Sequence, residues 1–245
     1  GASSGIGRET VRAFAEQGAV VIAVARREEL LRSLIEEVFE LSPRSEYLVG
    51  DLGERAFAER AISQAVERHG RLDVLVNNAA LPKHTRVDRV SPEEAQRVFE
   101  VNTLACVWTT LAALPHMRRA ASGCVVNVTS VAGEIVPPRE CLYGASKAAL
   151  AAFTEGLWSD LAGSGVHAAL VVPGAIDTEI WEKLDEPHAF RGRKVPARRV
   201  ADAIVKSVVK RRHRVTVPRS AAVALARFLR LFMPGVLRFG MRRMD

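Results

Sequence analysis

The 245-residue chain is poor in cysteine, in aromatic residues and in long apolar runs, and each shortage excludes a class of protein. Its three cysteines, Cys106, Cys124 and Cys141, are too few for a disulfide scaffold, which favours a cytoplasmic location. No uncharged apolar run comes near the roughly 20 residues that cross a bilayer, and the first residues predict a turn rather than a signal peptide. The six histidines lack metal-ligand spacing, so we expect no metal site.

The composition is otherwise that of a globular protein, with 48% hydrophobic and 26% charged residues. No repeat, low-complexity tract or Pro/Gly-rich linker divides the chain, so we expect one domain. Residues 1–190 carry 19 Lys and Arg against 26 Asp and Glu, a net charge of −7. Residues 191–245 carry 16 against 2, a net charge of +14, so the basic character belongs to the C-terminal quarter.

Short valine-rich runs alternate with longer segments of helical periodicity. The runs are typical of buried strands and cover residues 19–25, 47–49, 72–76, 124–129 and 166–172. The helical segments are residues 6–17, 28–41, 56–68, 92–117, 143–161 and 198–210. This alternation predicts βαβ units and an α/β fold with a mostly parallel sheet.

Gly1, Gly5 and Gly7 form a glycine-rich turn that opens the first helical segment. Glycine permits a left-handed backbone and close approach to a ligand, and a helix N-terminus favours anions, so the turn predicts a pyrophosphate site. The alternative is a tight connection between a strand and a helix. Such a turn ordinarily follows a strand, so we expect a first strand, at the centre of the sheet, that this chain lacks.

The strand at residues 19–25 ends at Ala25, where a dinucleotide-binding fold contacts the ribose. An acidic residue there would favour NAD, but Arg26 and Arg27 follow instead. The Arg26 guanidinium can pair with a 2′-phosphate, which favours NADP(H) over NAD(H). The alternative, that these arginines are merely solvated at the start of a helix, applies more to Arg27 than to Arg26.

Tyr143 and Lys147 are four residues apart, which places them on one face of a helix. A nearby ammonium favours phenolate, so we expect the pKa of Tyr143 to fall from about 10 toward neutrality. A tyrosine tuned in this way can exchange a proton with a carbonyl or an alcohol oxygen. The alternative is a core tyrosine beside a surface lysine.

Six motifs occur in a fixed order along the chain. They are Gly1…Gly5-x-Gly7, Asp51-Leu52, Asn77-Asn78-Ala79-Ala80, Asn102, Ser130 thirteen residues before Tyr143-x-x-x-Lys147, and Pro173-Gly174-x-x-x-Thr178. Together they resemble the short-chain dehydrogenase/reductase family in its single-domain branch, except that Ala80 stands in place of a glycine. The resemblance covers about residues 1–217 and implies a Rossmann-type doubly wound parallel sheet, with residues 218–245 as a separate basic tail.

The resemblance also implies a role for each site residue. Tyr143 would be the general acid and base, and Lys147 would hold the nicotinamide ribose and lower the tyrosine pKa. Ser130 would hydrogen-bond the substrate oxygen, and Asn102 would keep a water in a proton path to Lys147. Besides Tyr143 and Lys147, the residues implied to bind NADP(H) are Gly1, Ser3, Ser4, Gly5, Ile6, Gly7, Arg26, Asp51, Leu52, Asn78, Ala79, Pro173, Gly174, Ile176 and Thr178.

The implied activity is that of an NADP(H)-dependent carbonyl reductase or alcohol dehydrogenase. Ile135, Val136, Ile180 and Trp181 indicate an apolar small-molecule substrate. Two alternatives remain: an epimerase or dehydratase, which usually has G-x-x-G-x-x-G and a longer chain, and a cofactor-sensing regulator, which predicts a broken Tyr/Lys pair. The alanine-rich segment that includes Ala145 and Ala152 implies a homodimer or homotetramer, with internal packing as the alternative.

The C-terminal tail is apolar but interrupted by arginines. At 100° per residue, Arg219, Arg227, Arg230 and Arg238 fall within about 100° of arc, and Pro234 predicts a break in the helix. A basic amphipathic helix predicts peripheral contact with an anionic membrane. The equally weighted alternative is that the tail packs on its own domain. Nucleic-acid binding is disfavoured, because residues that recognise bases are sparse.

Overall fold

The computed structural model describes residues 1–186, 190 and 192–242. Its strands are β1 (Ile22–Ala25), β2 (Glu46–Val49), β3 (Val74–Asn77), β4 (Gly123–Val128), β5 (Val166–Pro173), β6 (Ile176–Asp177), β7 (Val195–Pro196) and β8 (Arg214–Val217). The largest sheet has the order β3-β4-β5-β8, while β1 pairs with β2 and β6 pairs with β7. Each of these pairs is parallel, as predicted.

The helices of the described residues follow the predicted alternation. They are α1 (Gly5–Ala15), α2 (Glu28–Val38), α3 (Arg55–His69), α4 (Pro92–Phe99), α5 (Ala105–Arg119), α6 (Cys141–Asp160), α7 (Ala197–Val209), α8 (Ala221–Phe232) and α9 (Pro234–Arg242). The single helix expected over residues 92–117 is interrupted, because a π-helical turn at Glu100–Leu104 separates α4 from α5. The break expected at Pro234 is confirmed, since Met233 leaves the helical conformation between α8 and α9.

The four-stranded sheet has helices on both of its faces, because successive side chains of its strands point to opposite faces and both faces are apolar. Val126 and Val171 belong to one core, which α7 covers with Ile204. Val125 belongs to a second core on the other face, which Met117 of α5 helps to cover. All eight residues of β5 are buried, as expected for a strand with helices on both sides.

The sequence patterns did not predict three of the strands, β6, β7 and β8. β6 and β7 have two residues each, and β8 has four residues with an exposed arginine at its start, so none shows a buried apolar run. β8 is nevertheless an edge of the main sheet, and its last residue, Val217, pairs with Pro173 at the end of β5.

The glycine-rich turn lies between the carboxyl ends of β1 and β3. The backbone nitrogen atoms of Gly1 and Ala2 donate to the carbonyl oxygen of Val24, at 2.6 and 3.0 Å. The side-chain amide of Asn78, just after β3, donates to the carbonyl oxygen of Gly1 at 3.1 Å. The expectation of a strand ahead of residue 1 stays a prediction.

Within the described residues, one helical stretch has the length and composition needed to cross a membrane, Pro92–Arg119. Half of its most apolar window is buried inside the domain, where Met117 and Ala113 of α5 pack into the core. A core helix of a globular protein passes the same test of length and composition. The packing of this stretch in the core therefore accounts for its apolar composition.

Candidate active site

One cleft opens at the carboxyl ends of β3, β4 and β5, where parallel α/β sheets place their ligand sites. Its volume is about 490 Å³. All the site residues predicted from the sequence line this cleft except Gly7 and Asn102. The cleft therefore brings together residues from position 1 to position 178 of the chain.

The glycine-rich turn has the shape of a phosphate cradle. Gly5 has a φ of +54°, in the left-handed region, and directly begins α1. A Cβ atom on Gly7 would lie 1.9 Å from the carbonyl oxygen of Gly1, so only glycine fits there. Ser3 and Ser4 line the same end of the cleft, and the helix N-terminus favours an anion beside them. This arrangement fits the pyrophosphate of a dinucleotide.

Two arginines stand beside this turn. Arg26 lines the cleft with 63% of its side chain exposed, and its guanidinium lies 3.8 Å from a carboxylate oxygen of Asp51. Arg27 is not merely solvated, because it donates to the hydroxyl oxygens of Ser3 and Ser4, at 3.1 and 2.8 Å, and pairs with Glu179 at 3.1 Å. These contacts of Arg27 were not predicted from the sequence, because no sequence pattern places Glu179 beside Arg27.

Local hydrogen bonds hold the end of the cleft beside β2, where we expect the adenine. Asp51 accepts from the backbone nitrogen of Gly53 at 2.9 Å and pairs with Arg97, which fixes the turn after β2. Leu52 and Ala79 line the cleft beside it.

At the opposite end of the cleft lie Ser130, Tyr143 and Lys147. Ser130 follows β4 and accepts from the backbone nitrogen of Ala132 at 3.1 Å, which orients its hydroxyl group. The Ser130 hydroxyl hydrogen-bonds that of Tyr143. Lys147 lies one turn further along α6, with its Nζ 6.0 Å from the centroid of the Tyr143 ring and 3.0 Å from the carbonyl oxygen of Val128.

The pKa of Tyr143 departs from the sequence-based expectation. Removal from water and then the charge of Glu140 raise this pKa to about 12, and the hydrogen bond with Ser130 opposes them only in part. The expected fall toward neutrality is therefore wrong for the protein without ligands, because burial outweighs the distant ammonium. Burial also lowers the pKa of Lys147 to about 8.

Asn102 is fully buried in the π-helical turn and does not line the cleft. Its side chain accepts from the backbone nitrogen of Leu81 at 2.7 Å and donates to the carbonyl oxygen of Leu81 and to the hydroxyl oxygen of Ser146. These contacts fix the segment after β3 against α6. A role for Asn102 in a proton path stays a prediction.

The end of the cleft that holds Ser130 and Tyr143 has apolar walls and one acidic group; we expect the substrate there and term it the substrate end. Ile135, Ile180 and Trp181 line it as expected, whereas Val136 packs near Gly144 instead. Glu140, which the sequence patterns did not single out, also lines the cleft, and burial raises its pKa to about 7. The sequence does place Glu140 only three residues before Tyr143, and that short separation could have identified it as a cleft residue.

Comparisons with known proteins agree with this architecture. Residues 1–189 match the family model for short chain dehydrogenases, so the chain belongs to the short-chain dehydrogenase/reductase family and is an oxidoreductase of that family. A curated relative, the 3-oxoacyl-[acyl-carrier-protein] reductase FabG of Thermotoga maritima, is 36% identical over 186 residues, which are 76% of each chain.

Solved structures give the same result. A short-chain dehydrogenase from Sphingobium yanoikuyae in complex with NADPH has a TM-score of 0.83 and 26% identity, over 99% of this chain and 93% of that one. An alcohol dehydrogenase from the archaeon Thermococcus sibiricus, complexed with 5-hydroxy-NADP, has a TM-score of 0.78 and 27% identity, over 89% of this chain and 93% of that one.

Proposed function

We propose that the protein is an NADP(H)-dependent carbonyl reductase or alcohol dehydrogenase. The observation that carries this proposal is the single cleft with a phosphate cradle and two arginines at one end and Ser130, Tyr143 and Lys147 at the other. The intact Tyr/Lys pair argues against a non-catalytic regulator, and the glycine spacing argues against an epimerase.

The choice of NADP(H) rests on charge. No acidic side chain stands at Ala25, and the guanidinium groups of Arg26 and Arg27 flank the cleft where a 2′-phosphate would bind. The NADP and NADPH complexes of the structural relatives support this choice. The glycine cradle, Asp51, Asn78, Pro173 and Thr178 would hold the rest of the dinucleotide.

The nicotinamide supplies the hydride chemistry when it is bound. Ser130 would hydrogen-bond the substrate oxygen, and Tyr143 would donate a proton to it as negative charge develops there. With its pKa raised to about 12, Tyr143 holds that proton at neutral pH, which suits carbonyl reduction. Lys147 would bind the ribose hydroxyl groups and stabilise the phenolate that remains after proton transfer.

The substrate is proposed to be an apolar carbonyl compound, or the matching secondary alcohol. Ile135, Ile180, Trp181 and Phe190 supply large apolar surfaces to the cleft, while Ser130 and Tyr143 supply its oxygen-binding groups.

We further propose a cytoplasmic homodimer or homotetramer with peripheral membrane contact through the tail. Ala145, Ala152 and Gly156 are exposed on α6, and a second helix can approach such small residues closely. The other alanines of the same segment, Ala148, Ala149 and Ala151, are half-buried.

The proposed activity is tested with a panel of ketones and secondary alcohols, assayed with NADPH, NADP, NADH and NAD. Tyr143→Phe should lower turnover by at least 10²-fold, in the range of general acid–base catalysis, while NADPH binding persists. Tyr47→Phe, at the other tyrosine of the chain, is the matched control and should leave turnover unchanged. Near-wild-type turnover by Tyr143→Phe would show that the role of Tyr143 is wrong.

A further inference from the structure

The helix α8 turns its apolar stripe toward solvent. Leu225, Phe228, Leu231 and Phe232 fall within about 120° of arc at 100° per residue, and they form what we term the tail face. All four are exposed, with Leu231 at 74% and Phe232 at 69%. A surface helix ordinarily turns such a stripe toward the core. An apolar face that is exposed instead indicates an interaction site.

The opposite side of α8 fixes this orientation. Arg227 pairs with Glu134, which follows the catalytic-site serine by four residues, and donates to the hydroxyl oxygen of Thr216 at 3.1 Å. Val223, about 180° around the helix from Phe232 at 100° per residue, lines the cleft. The polar side and Val223 therefore hold the helix to the domain, which leaves the apolar stripe outside.

The charge around the tail face selects the partner. Residues 203–242 contain no acidic residue, and Arg219, Arg230 and Arg238 form no ion pair within the described residues. Two copies packed through this face would bring together two segments of net charge +14. An anionic bilayer, in contrast, accepts the apolar side chains at its headgroup boundary and attracts the basic segment as a whole.

We propose that the tail face docks on an anionic membrane surface. The four-arginine stripe expected from the sequence is not the docking element, because the break at Met233 splits it and Glu134 already pairs with Arg227. The apolar side chains of α8 insert instead, and the basic segment around them, which includes the exposed Arg230 and Arg238, supplies electrostatic attraction over the range of a Debye length.

The docking also indicates which substrates reach the cleft, an inference that rests on the proposed function. Because Val223 and the tail face belong to one helix, docking places the substrate end of the cleft close to the bilayer. The protein would then reduce apolar ketones that partition into the membrane.

Vesicle sedimentation of the full chain tests the docking. We expect binding to phosphatidylcholine vesicles that contain phosphatidylserine, weaker binding as salt rises, and little binding to phosphatidylcholine alone. The combined change Leu225→Gln, Phe228→Gln and Phe232→Gln should lower the partition coefficient about 100-fold or more, while the circular dichroism spectrum and Tm stay unchanged. Val209→Gln, at a valine that is 72% exposed on α7, is the matched apolar control.

The contribution of charge is tested separately. The double change Arg230→Gln and Arg238→Gln should lower the partition coefficient about 25-fold, at about fivefold for each arginine. The control Arg55→Gln and Arg71→Gln removes two exposed arginines elsewhere and should have little effect. Absence of wild-type binding at low salt, or unchanged binding of the triple variant, would overturn the proposal. A triple variant that forms smaller oligomers yet binds vesicles normally would assign the face to a second copy instead.

Reduction rates of two ketones test whether the membrane delivers the substrate. With NADPH, the triple variant should reduce a short water-soluble ketone normally and a long-chain ketone in phosphatidylserine vesicles at least tenfold more slowly than wild type. Equal rates for the variant and the wild type on the long-chain ketone would refute membrane delivery. If the wild type reduces neither ketone yet still binds vesicles, the proposed activity fails and the docking stands.

Discussion

Lys147→Met should make the protein more stable at neutral pH while it removes activity. Lys147 is 2% exposed, and its burial lowers the pKa from 10.5 to about 8. Since one pKa unit corresponds to about 1.4 kcal/mol, holding the ammonium in the folded protein costs about 3 kcal/mol at neutral pH. Methionine has a similar unbranched shape and no charge, so it avoids this cost.

The substitution also loses a stabilising contact. The hydrogen bond from Nζ to the carbonyl oxygen of Val128, at 3.0 Å, contributes about 1–2 kcal/mol. The expected net change in the free energy of unfolding at about pH 7 is therefore a gain of about 1–2 kcal/mol. A buried charge kept at such a cost is typical of a catalytic site.

The pH dependence separates this explanation from a general packing effect. The folded-state pKa of Lys147 lies below the unfolded one, so the unfolded chain binds more protons between these values and wild-type stability rises with pH from about 8 to about 10.5. The advantage of Lys147→Met should thus fall to zero or below by about pH 10.

Urea unfolding of both proteins at neutral and alkaline pH measures these differences. Lys206→Met, at an exposed lysine of α7, is the control and should change stability little at either pH. A Lys147→Met variant that is less stable at neutral pH, or whose advantage does not change with pH, would refute the reasoning.

Two further predictions concern the ends of the cleft. Arg26→Ala should weaken NADPH binding about tenfold or more and leave NADH binding nearly unchanged in titration calorimetry, with Arg55→Ala as the control; equal losses for both cofactors would exclude 2′-phosphate recognition. Glu140→Gln removes the charge that helps raise the pKa of Tyr143, so the pH profile of alcohol oxidation should move toward lower pH by about one pH unit or less. Glu155→Gln, on the exposed side of α6, should not move that profile, and an unmoved profile for Glu140→Gln would contradict its assigned effect.

The parts of the fold that the sequence predicts are those with strong local patterns. The valine-rich runs at β4 and β5 and the spacing of Tyr143 and Lys147 are local, so they identify a parallel sheet and a shared helix face without knowledge of tertiary contacts. The convergence of Ser130 with Tyr143 follows from the family motifs, and the structure places both in one cleft.

What escaped prediction depends on contacts between distant segments. Arg27 meets Ser4 and Glu179 only because the segment after β5 folds back over the glycine-rich turn. The pKa of Tyr143 depends on burial, which spacing along a helix does not reveal. Helical periodicity places four arginines of the tail within about 100° of arc, but it does not reveal that Arg227 faces Glu134 and that Phe232 lies in solvent.

Transfer of deuterium from NADPH that carries deuterium at both C4 positions of the nicotinamide ring tests the proposed activity most directly. With a ketone that the protein reduces, wild type and Tyr47→Phe should give an alcohol with deuterium on the carbinol carbon. Tyr143→Phe should bind the labelled NADPH with similar affinity and form this product at least 10²-fold more slowly. An unlabelled alcohol from the wild-type protein, or labelled alcohol formed equally fast by Tyr143→Phe, would contradict the proposed function.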